Sequence, residues 1–169
     1  SITDKNLDFE KGRLTISILG TIYPEQDIST FINAIESIPV EIAKKIKLNL
    51  IGVKSIKEVS AQFEQLNSVC KVVLTHRLPI EEVIEIGKKS DYLLYMGWKG
   101  YRGVYSAKIF DYLALKRPII ICPNDHDVLE QLMNKTKAGY CFDSSVHLHD
   151  FLIHSWKVKS GNGFIAYHG

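Results

Sequence analysis

The chain has 169 residues, of which 46% are apolar and 24% are charged, a composition typical of one soluble domain with a full hydrophobic core. The formal net charge of +2, with basic residues scattered along the chain, argues against a nucleic-acid-binding protein. Cys70, Cys122 and Cys141 form no C-x-x-C pair, which argues against a disulfide framework or a zinc site and predicts reduced thiols in the cytoplasm.

Apolar runs of strand length alternate with helical patterns along the chain. The pattern predicts strands over residues 14–19, 48–51, 69–75, 92–96, 118–122 and 140–142. It predicts helices over residues 28–35, 56–66, 79–87, 106–115 and 147–158, and a further helix from residue 128 that Gly139 stops.

Strands separated by helices favour parallel pairing, so we expect an α/β fold with a doubly wound parallel sheet of about six strands and helices on both faces. Residues 13–159 are expected to form this domain, with a flexible N-terminal segment over 1–12 and a flexible tail over 160–169. No apolar run approaches the roughly 20 residues of a membrane helix, and no signal peptide is evident. Because the first residue is Ser1, we expect a processed chain or a piece of a longer protein.

Ligands bind at the carboxyl ends of strands in open parallel sheets, so the loops after the strands carry the candidate residues. Gly20, after the first predicted strand, lets a ligand approach the backbone, although a tight turn explains it equally well. Arg77, after the third, is a candidate stacking surface for a base, but an ordinary exposed loop is favoured from this segment alone. Neither G-x-G-x-x-G nor a P-loop occurs.

The loop over residues 97–103 combines regularly spaced glycines with positive charge and aromatic rings. Lys99, Arg102 and Gly103 are candidate phosphate or sugar contacts. Trp98 and Tyr101 could flank a sugar or a base, because large aromatic side chains are costly to expose without a partner. The alternative is a solvated loop without a ligand.

The segment after this loop opens the helix predicted from Ser106, and unpaired N–H groups at a helix start attract phosphate. Lys108 either neutralises a phosphate or points to solvent. Asp111, on the same face, either accepts hydrogen bonds from ribose hydroxyls or pairs with Lys108. A general base at His126 is the weaker hypothesis, and the spacing of the histidines indicates no metal site.

Five motifs occur in chain order between about Leu14 and Leu152. They are Leu19-Gly-Thr-Ile-Tyr-Pro24, Leu78-Pro-Ile-Glu-Glu-Val83, Ser90-Asp-Tyr-Leu-Leu94, Ser106-x-Lys-x-Phe-Asp-Tyr-Leu-Ala114 with Arg117-Pro-Ile-Ile120, and Ala138-Gly-Tyr140. Together they resemble the C-terminal, nucleotide-sugar-binding half of GT-B glycosyltransferases of the group 1 (family 4) class, which are retaining enzymes.

The resemblance implies a Rossmann-like domain and a nucleotide-binding role for each matching position. The implied residues are Gly20 and Thr21 beneath the phosphates, Arg77 and Leu78 at the base, Val104, Tyr105 and Ser106 at the pyrophosphate, and Asp111 at the ribose.

The chain departs from the family pattern at two places. Gly103 stands at the position of the first of two acids, so the carboxylate usually placed near the donor sugar is absent. Thr21 and Gln26 stand about where many relatives carry Arg and Lys. The charge of the pyrophosphate would then be met by backbone N–H groups and by Lys99, Arg102 or Lys108.

Enzymes of this class have two Rossmann-like halves with catalysis between them, and the chain matches the second half only. The resemblance implies transfer of a sugar, of the hexosyl type, from a UDP or GDP sugar to a glycan or lipid-linked acceptor in polysaccharide biosynthesis. Transfer would retain the anomeric configuration and need no metal or other cofactor. We expect this piece alone to be inactive, and the intact protein to work in the cytoplasm, with peripheral association at the inner face of the membrane.

Three alternative functions can be weighed against this interpretation at the level of sequence. The first is a nucleotide-sugar epimerase half, which would need acidic and histidine residues around the donor sugar. The second is a non-catalytic module that binds a nucleotide or a protein, which Gly103 and the missing basic pair favour somewhat. The third, a receiver-like signalling domain, needs an acidic cluster after the first strand that the sequence lacks.

Overall fold

A computed structural model describes residues 10–98, 100, 103 and 106–169 of the chain. These residues form a six-stranded parallel sheet with helices against both faces, which confirms the predicted α/β fold class. The strands are β1 (Leu14–Leu19), β2 (Ile46–Ile51), β3 (Lys71–Thr75), β4 (Tyr92–Met96), β5 (Ile119–Cys122) and β6 (Gly139–Cys141). The helices are α1 (Ser29–Ser37), α2 (Val40–Ala43), α3 (Lys57–Glu64), α4 (Ile80–Lys88), α5 (Lys108–Ala114), α6 (Val128–Thr136) and α7 (Ser145–Asn162), with a short 3-10 helix over Gln65–Ser68.

The strand order is β3-β2-β1-β4-β5-β6, so the direction of winding reverses between β1 and β4. β1 pairs with β2 along its full length, but with β4 only at Ile16 and Ser17. The ladder between β1 and β4 therefore stops well before the carboxyl ends of the two strands. A crevice at such a reversal is where open α/β sheets bind their ligands.

Alternate side chains of each central strand enter two separate cores. In β4, Tyr92, Leu94 and Met96 pack in the core that α1, α3 and α7 cover. Leu93 and Tyr95 pack in the core under α4, α5 and α6. Burial of each large apolar side chain is worth about 1.5–3 kcal/mol, so continuous apolar strands are stable only when both faces are covered.

A buried ion pair joins α7 to the start of β4. Lys159 Nζ lies 2.7 Å from Asp91 Oδ2, and the two residues are 2% and 0% exposed. The same carboxylate oxygen accepts a hydrogen bond of 2.8 Å from the amide of Thr15. Burial raises the pKa of Asp91, and Lys159 and the Thr15 amide act against that rise.

A buried arginine, Arg117, ties the residues after α7 to the same edge of the sheet. Its Nε donates to the Ser90 carbonyl at 3.1 Å, and its Nη2 donates to the Ile165 carbonyl at 3.0 Å. Ile165 itself is buried. The chain after α7 is thus held against the amino ends of the strands.

The last helix is longer than predicted. α7 runs over Ser145–Asn162 rather than 147–158, so the first residues of the predicted tail are helical. Gly163 ends the helix in the left-handed conformation, with its N–H bonded to the Lys159 carbonyl. Lys159 is buried, although a lysine near the end of a helix is expected to face solvent. Its burial extends the packed face of α7 by a turn.

The prediction that Gly139 stops α6 is wrong. The helix ends at Thr136, and Lys137 takes the left-handed conformation with a φ of 58°. Gly139 instead begins β6, where a Cβ would lie 2.2 Å from the Ile119 carbonyl oxygen. Glycine is needed at this position for close approach of two strands.

Cys70 and Cys122 are buried, Cys141 is half-buried, and all three are free. Burial raises the pKa of each thiol to about 12, which leaves them protonated and unreactive. None of the helices in the described ranges is long and apolar enough to cross a membrane.

Residues 1–9 of the predicted N-terminal segment lie outside the described residues. Glu10, where the description begins, forms ion pairs with Lys47 at 2.7 Å and Arg13 at 3.2 Å.

Candidate functional site

The phenol of Tyr112 bridges β1 and β4 where their ladder has ended. Its hydroxyl accepts from the Leu19 amide at 2.9 Å and donates to the Leu94 carbonyl at 3.0 Å. Burial raises the pKa of this phenol, so the hydroxyl keeps the proton that it donates. One side chain of α5 therefore satisfies two strand groups at the floor of the crevice.

Two cavities open at this crevice, with volumes of about 340 and 870 Å³. The residues that line only the smaller cavity include Thr21, Tyr23, Gln26, Tyr95, Trp98 and Ser106. The larger is lined by Leu78, Ile80, Val83, Lys88 and Asp111, among others. Gly20, Arg77, Lys108 and Tyr112 line both cavities, so the two volumes meet at these residues.

Lys108 lies between the two cavities. Its Nζ donates to the Thr21 carbonyl at 2.8 Å, and burial lowers the pKa of the ammonium. In the part of the chain that the structure describes, no carboxylate forms an ion pair with Lys108, and the possible pair with Asp111 is not made. Lys108 therefore points into the crevice rather than to solvent, and its role at a phosphate stays a prediction.

Gly20 makes room for this cation. The residue has a φ of 109°, and a Cβ there would lie 3.2 Å from Cε and 3.3 Å from Nζ of Lys108. A larger residue would be strained in its backbone and would press on the lysine. The choice of glycine at this turn thus bears on the position of the charge.

The larger cavity holds the residues that the resemblance assigns to the nucleoside. Arg77 and Leu78, from the loop after β3, and Asp111, from α5, all line it. Asp111 is exposed, so its carboxylate is accessible from the cavity. Ile80 and Val83 of α4 give this cavity an apolar wall.

Ser106 lines the smaller cavity, but its amide is already bonded. The N–H donates to the Tyr95 hydroxyl at 3.0 Å, and the two hydroxyls lie 3.4 Å apart. α5 begins at Lys108 rather than at the predicted Ser106. The Ser106 amide therefore does not point an unpaired N–H into the site, and among the described residues Lys108 and Arg77 supply the positive charge that lines both cavities.

An aromatic pair that the sequence does not predict lies at the smaller cavity. The rings of Tyr23 and Trp98 stack with a centroid distance of 5.7 Å and an interplanar angle of 26°. Gln26 connects the two loops: its Nε2 donates to the Met96 carbonyl at 2.6 Å, and its Oε1 accepts from the Tyr23 amide at 2.7 Å. Tyr23 and Trp98 are 75 positions apart in the sequence, so no local periodicity of the sequence could indicate that their rings meet.

Several predicted site residues lie outside the described residues: Lys99, Tyr101, Arg102, Val104 and Tyr105. Gly103 is described and has a φ of 70°. A Cβ there would lie 4.0 Å from Asp127 Oδ2, so among the described residues the carboxylate nearest to this position comes from the loop after β5.

His126 follows β5 at the same edge of the sheet but forms a cluster of its own. Its Nε2 contacts Asp143, and its Nδ1 lies 3.1 Å from Glu130. The hydrogen bond with Asp143 raises the pKa of the imidazole, with a smaller contribution from Glu130. An imidazole held between two carboxylates favours its protonated form and is a poor general base. No group of three or more His, Cys, Asp or Glu residues in the described ranges is arranged to hold a metal ion.

Comparison with known proteins gives structural matches only. No protein-family model and no curated protein matches the chain. Among solved structures, WaaG, a glycosyltransferase involved in lipopolysaccharide biosynthesis, matches 88% of the chain with a TM-score of 0.65 and 14% identity. The structure of HepE of Anabaena in complex with UDP matches 88% with a TM-score of 0.62 and 11% identity. The C-terminal domain of LpcC, a group 1 glycosyltransferase family protein of Francisella tularensis, matches 93% with a TM-score of 0.59 and 15% identity.

The extent of these matches differs between whole proteins and a single domain. The chain covers 39% of WaaG and 40% of HepE, but 82% of the LpcC C-terminal domain. The chain therefore has the Rossmann-like fold of the C-terminal domain of GT-B group 1 glycosyltransferases, as its sequence motifs predict.

Proposed function

We propose that the chain is the donor-binding half of a retaining glycosyltransferase of the hexosyl type. The intact protein would transfer a sugar from a UDP or GDP sugar to a glycan or lipid-linked acceptor in polysaccharide biosynthesis. The observation that carries the proposal is Lys108: a half-buried ammonium without a carboxylate partner among the described residues, placed where two cavities meet.

Burial of an ammonium is unfavourable unless an anion compensates it, and the lowered pKa of Lys108 reports this cost. A diphosphate between the cavities would supply the missing negative charge. The Asp111 carboxylate in the larger cavity would then accept hydrogen bonds from the ribose, with the base beside Arg77 and Leu78. HepE, which has a similar fold, was solved in complex with UDP, and this supports nucleotide binding by the chain.

The chemistry available to this half is electrostatic. As the bond between sugar and diphosphate breaks, negative charge grows on the leaving diphosphate, and a fixed cation at that point stabilises it. Lys108 would serve this role without a metal. The acceptor site would belong to a first half that this chain does not include, so we expect the isolated chain to bind a nucleotide without turnover.

Replacing Lys108 with methionine is expected to weaken binding of UDP or GDP about 10- to 100-fold, because a charge-assisted contact is worth about 1.5–3 kcal/mol. Isothermal titration calorimetry of both nucleotides on the chain measures this effect. Lys135→Met removes an exposed charge from α6 and serves as the matched control. Absence of nucleotide binding at millimolar concentration would overturn the proposal.

Replacing Asp111 with alanine is expected to cost about 1–3 kcal/mol of nucleotide affinity, since hydrogen bonds from ribose to a charged acceptor are lost. The comparison of UDP with 2′-deoxy-UDP isolates this contact. The unchanged chain should prefer UDP, and Asp111→Ala should reduce or remove that preference. An equal preference in both proteins would mean that the carboxylate does not meet the ribose.

A non-catalytic nucleotide-binding module is the second candidate function. Gly103, at the position of the family's first acid, is the observation that favours it. Nucleotide titration does not separate the two candidates, but the gene product does. An upstream Rossmann-like half of about 170–200 residues, within the usual size of a domain, would support the transferase, and sugar transfer by that product would decide in its favour.

A further inference from the structure

We propose that Tyr23 and Trp98 form a stacking platform for the pyranose ring of the nucleotide sugar, and that this platform contributes to the choice of sugar. The inference rests on the proposed function. Its own support is the geometry of the smaller cavity, which Leu78 and Asp111 of the nucleoside site do not line.

The Tyr23–Trp98 pair leaves aromatic surface open to solvent. Tyr23 is 51% exposed although its ring is stacked on Trp98. One face of the pair is therefore already covered and another part of its surface is open. A large aromatic surface left open beside a polar cavity is typical of a ligand-binding surface rather than of a core.

The loop that carries Tyr23 is held in place by hydrogen bonds. Gln26 bonds to the Tyr23 amide on one side and to the Met96 carbonyl on the other, which joins the loop after β1 to the end of β4. The platform is held in place by these bonds before any ligand arrives. An aromatic surface with few rotatable bonds and a braced backbone loses little entropy on binding.

The Tyr23–Trp98 pair lies at the opposite end of the crevice from the proposed nucleoside site. Asp111 and Leu78 line only the larger cavity, Tyr23 and Trp98 line only the smaller one, and Lys108 lines both. A nucleoside in the larger cavity and a diphosphate at Lys108 leave the smaller cavity for the next group of the donor. In a nucleotide sugar, that group is the sugar.

The surface of a pyranose ring is complementary to an aromatic ring. One face of a pyranose presents a patch of C–H groups, while its hydroxyls point outward around the ring. An aromatic ring covers the C–H patch and leaves the hydroxyls to polar partners such as the Thr21 carbonyl and the Ser106 hydroxyl, whose residues line the same cavity. A flat base presents two apolar faces instead, and the test below separates these two occupants.

The test measures the gain in affinity that the sugar adds to the nucleotide. Dissociation constants are determined by calorimetry on the chain for UDP and UDP-glucose, and for GDP and GDP-mannose. In the unchanged chain at least one nucleotide sugar should bind more tightly than its nucleotide. Tyr23→Ala should reduce that gain about threefold to tenfold and leave nucleotide affinity within twofold.

Two variants keep the result specific to the ring. Tyr23→Phe retains the aromatic face and should retain the gain. Tyr140→Ala removes a tyrosine that is 41% exposed and packs on Phe151 at 4.9 Å, and it should change neither affinity nor gain.

The remaining outcomes overturn the inference in distinguishable ways. An equal loss of UDP and UDP-glucose affinity in Tyr23→Ala would place the base on the platform. A gain that Tyr23→Ala leaves unchanged, or no gain with either nucleotide sugar, would show that no pyranose stacks there. Absence of all nucleotide binding would be failure of the proposed function itself, and the inference would fall with it.

Discussion

Replacing Lys159 with methionine is expected to lower the free energy of unfolding by about 3–5 kcal/mol, the usual cost of removing one partner from a buried ion pair. The Asp91 carboxylate is 0% exposed and would keep only the Thr15 amide and more distant charge to balance it. Methionine has a similar length and leaves no large void, so the effect reports the charge. Urea denaturation followed by circular dichroism measures it.

Lys157→Met serves as the matched control for this experiment, because Lys157 is exposed on the same helix. We expect it to change stability by no more than about 0.5 kcal/mol, as for most surface substitutions. The double variant Asp91→Asn with Lys159→Met should be more stable than Lys159→Met alone, because the buried carboxylate that lost its lysine is no longer charged. A loss below about 1 kcal/mol in the single variant would mean that water or another group compensates Asp91.

Replacing Tyr112 with phenylalanine is expected to destabilise the chain by about 2–6 kcal/mol, since two buried strand groups each lose their partner at a cost of about 1–3 kcal/mol. The groups are the Leu19 amide and the Leu94 carbonyl. The variant removes one oxygen atom and otherwise keeps the packing of the ring. Chemical denaturation gives the size of the loss.

Hydrogen exchange of the Leu19 amide, followed by NMR, gives the location of that loss. This amide should exchange faster in Tyr112→Phe by more than the global loss of stability explains. Tyr92→Phe is the control: this phenol is also buried, but its hydroxyl bonds at 2.8 Å to the Ser155 hydroxyl and not to a strand. An unchanged Leu19 exchange rate would contradict a bridging role for Tyr112.

The strands were predictable because their apolar runs are continuous and short. Runs such as Ile119–Cys122 can be stable only between two covered faces, which makes both the strand and its parallel setting readable from local sequence. Helix α2 over Val40–Ala43 was not predicted, because four residues are too few to show a helical period. Helix ends were less predictable, since a lysine at 137 and not the glycine at 139 adopts the left-handed conformation.

The site was predictable only as a set of loops. The positions of Gly20, Arg77 and Lys108 after or beside strand ends indicate the edge at which they meet, and the structure places all three along two joined cavities. The inward orientation of Lys108 was not predictable, because it depends on space left by Gly20, 88 positions earlier in the chain. The contact of Tyr23 with Trp98 depends in the same way on how two distant loops pack.

The buried anchors of the chain and its cavities occupy opposite edges of the sheet. Asp91 immediately precedes β4 and Arg117 lies just before β5, whereas both cavities open where β1 and β4 end. The residues that stabilise the fold and the residues that line the cavities thereby lie at opposite ends of the same strands. Exposed positions of the loop after β1, such as Tyr23, can accordingly be varied in a combinatorial library while the buried Ile22 and the anchors Lys159, Asp91 and Arg117 keep the scaffold intact, which offers a route to variants with altered ligand preference.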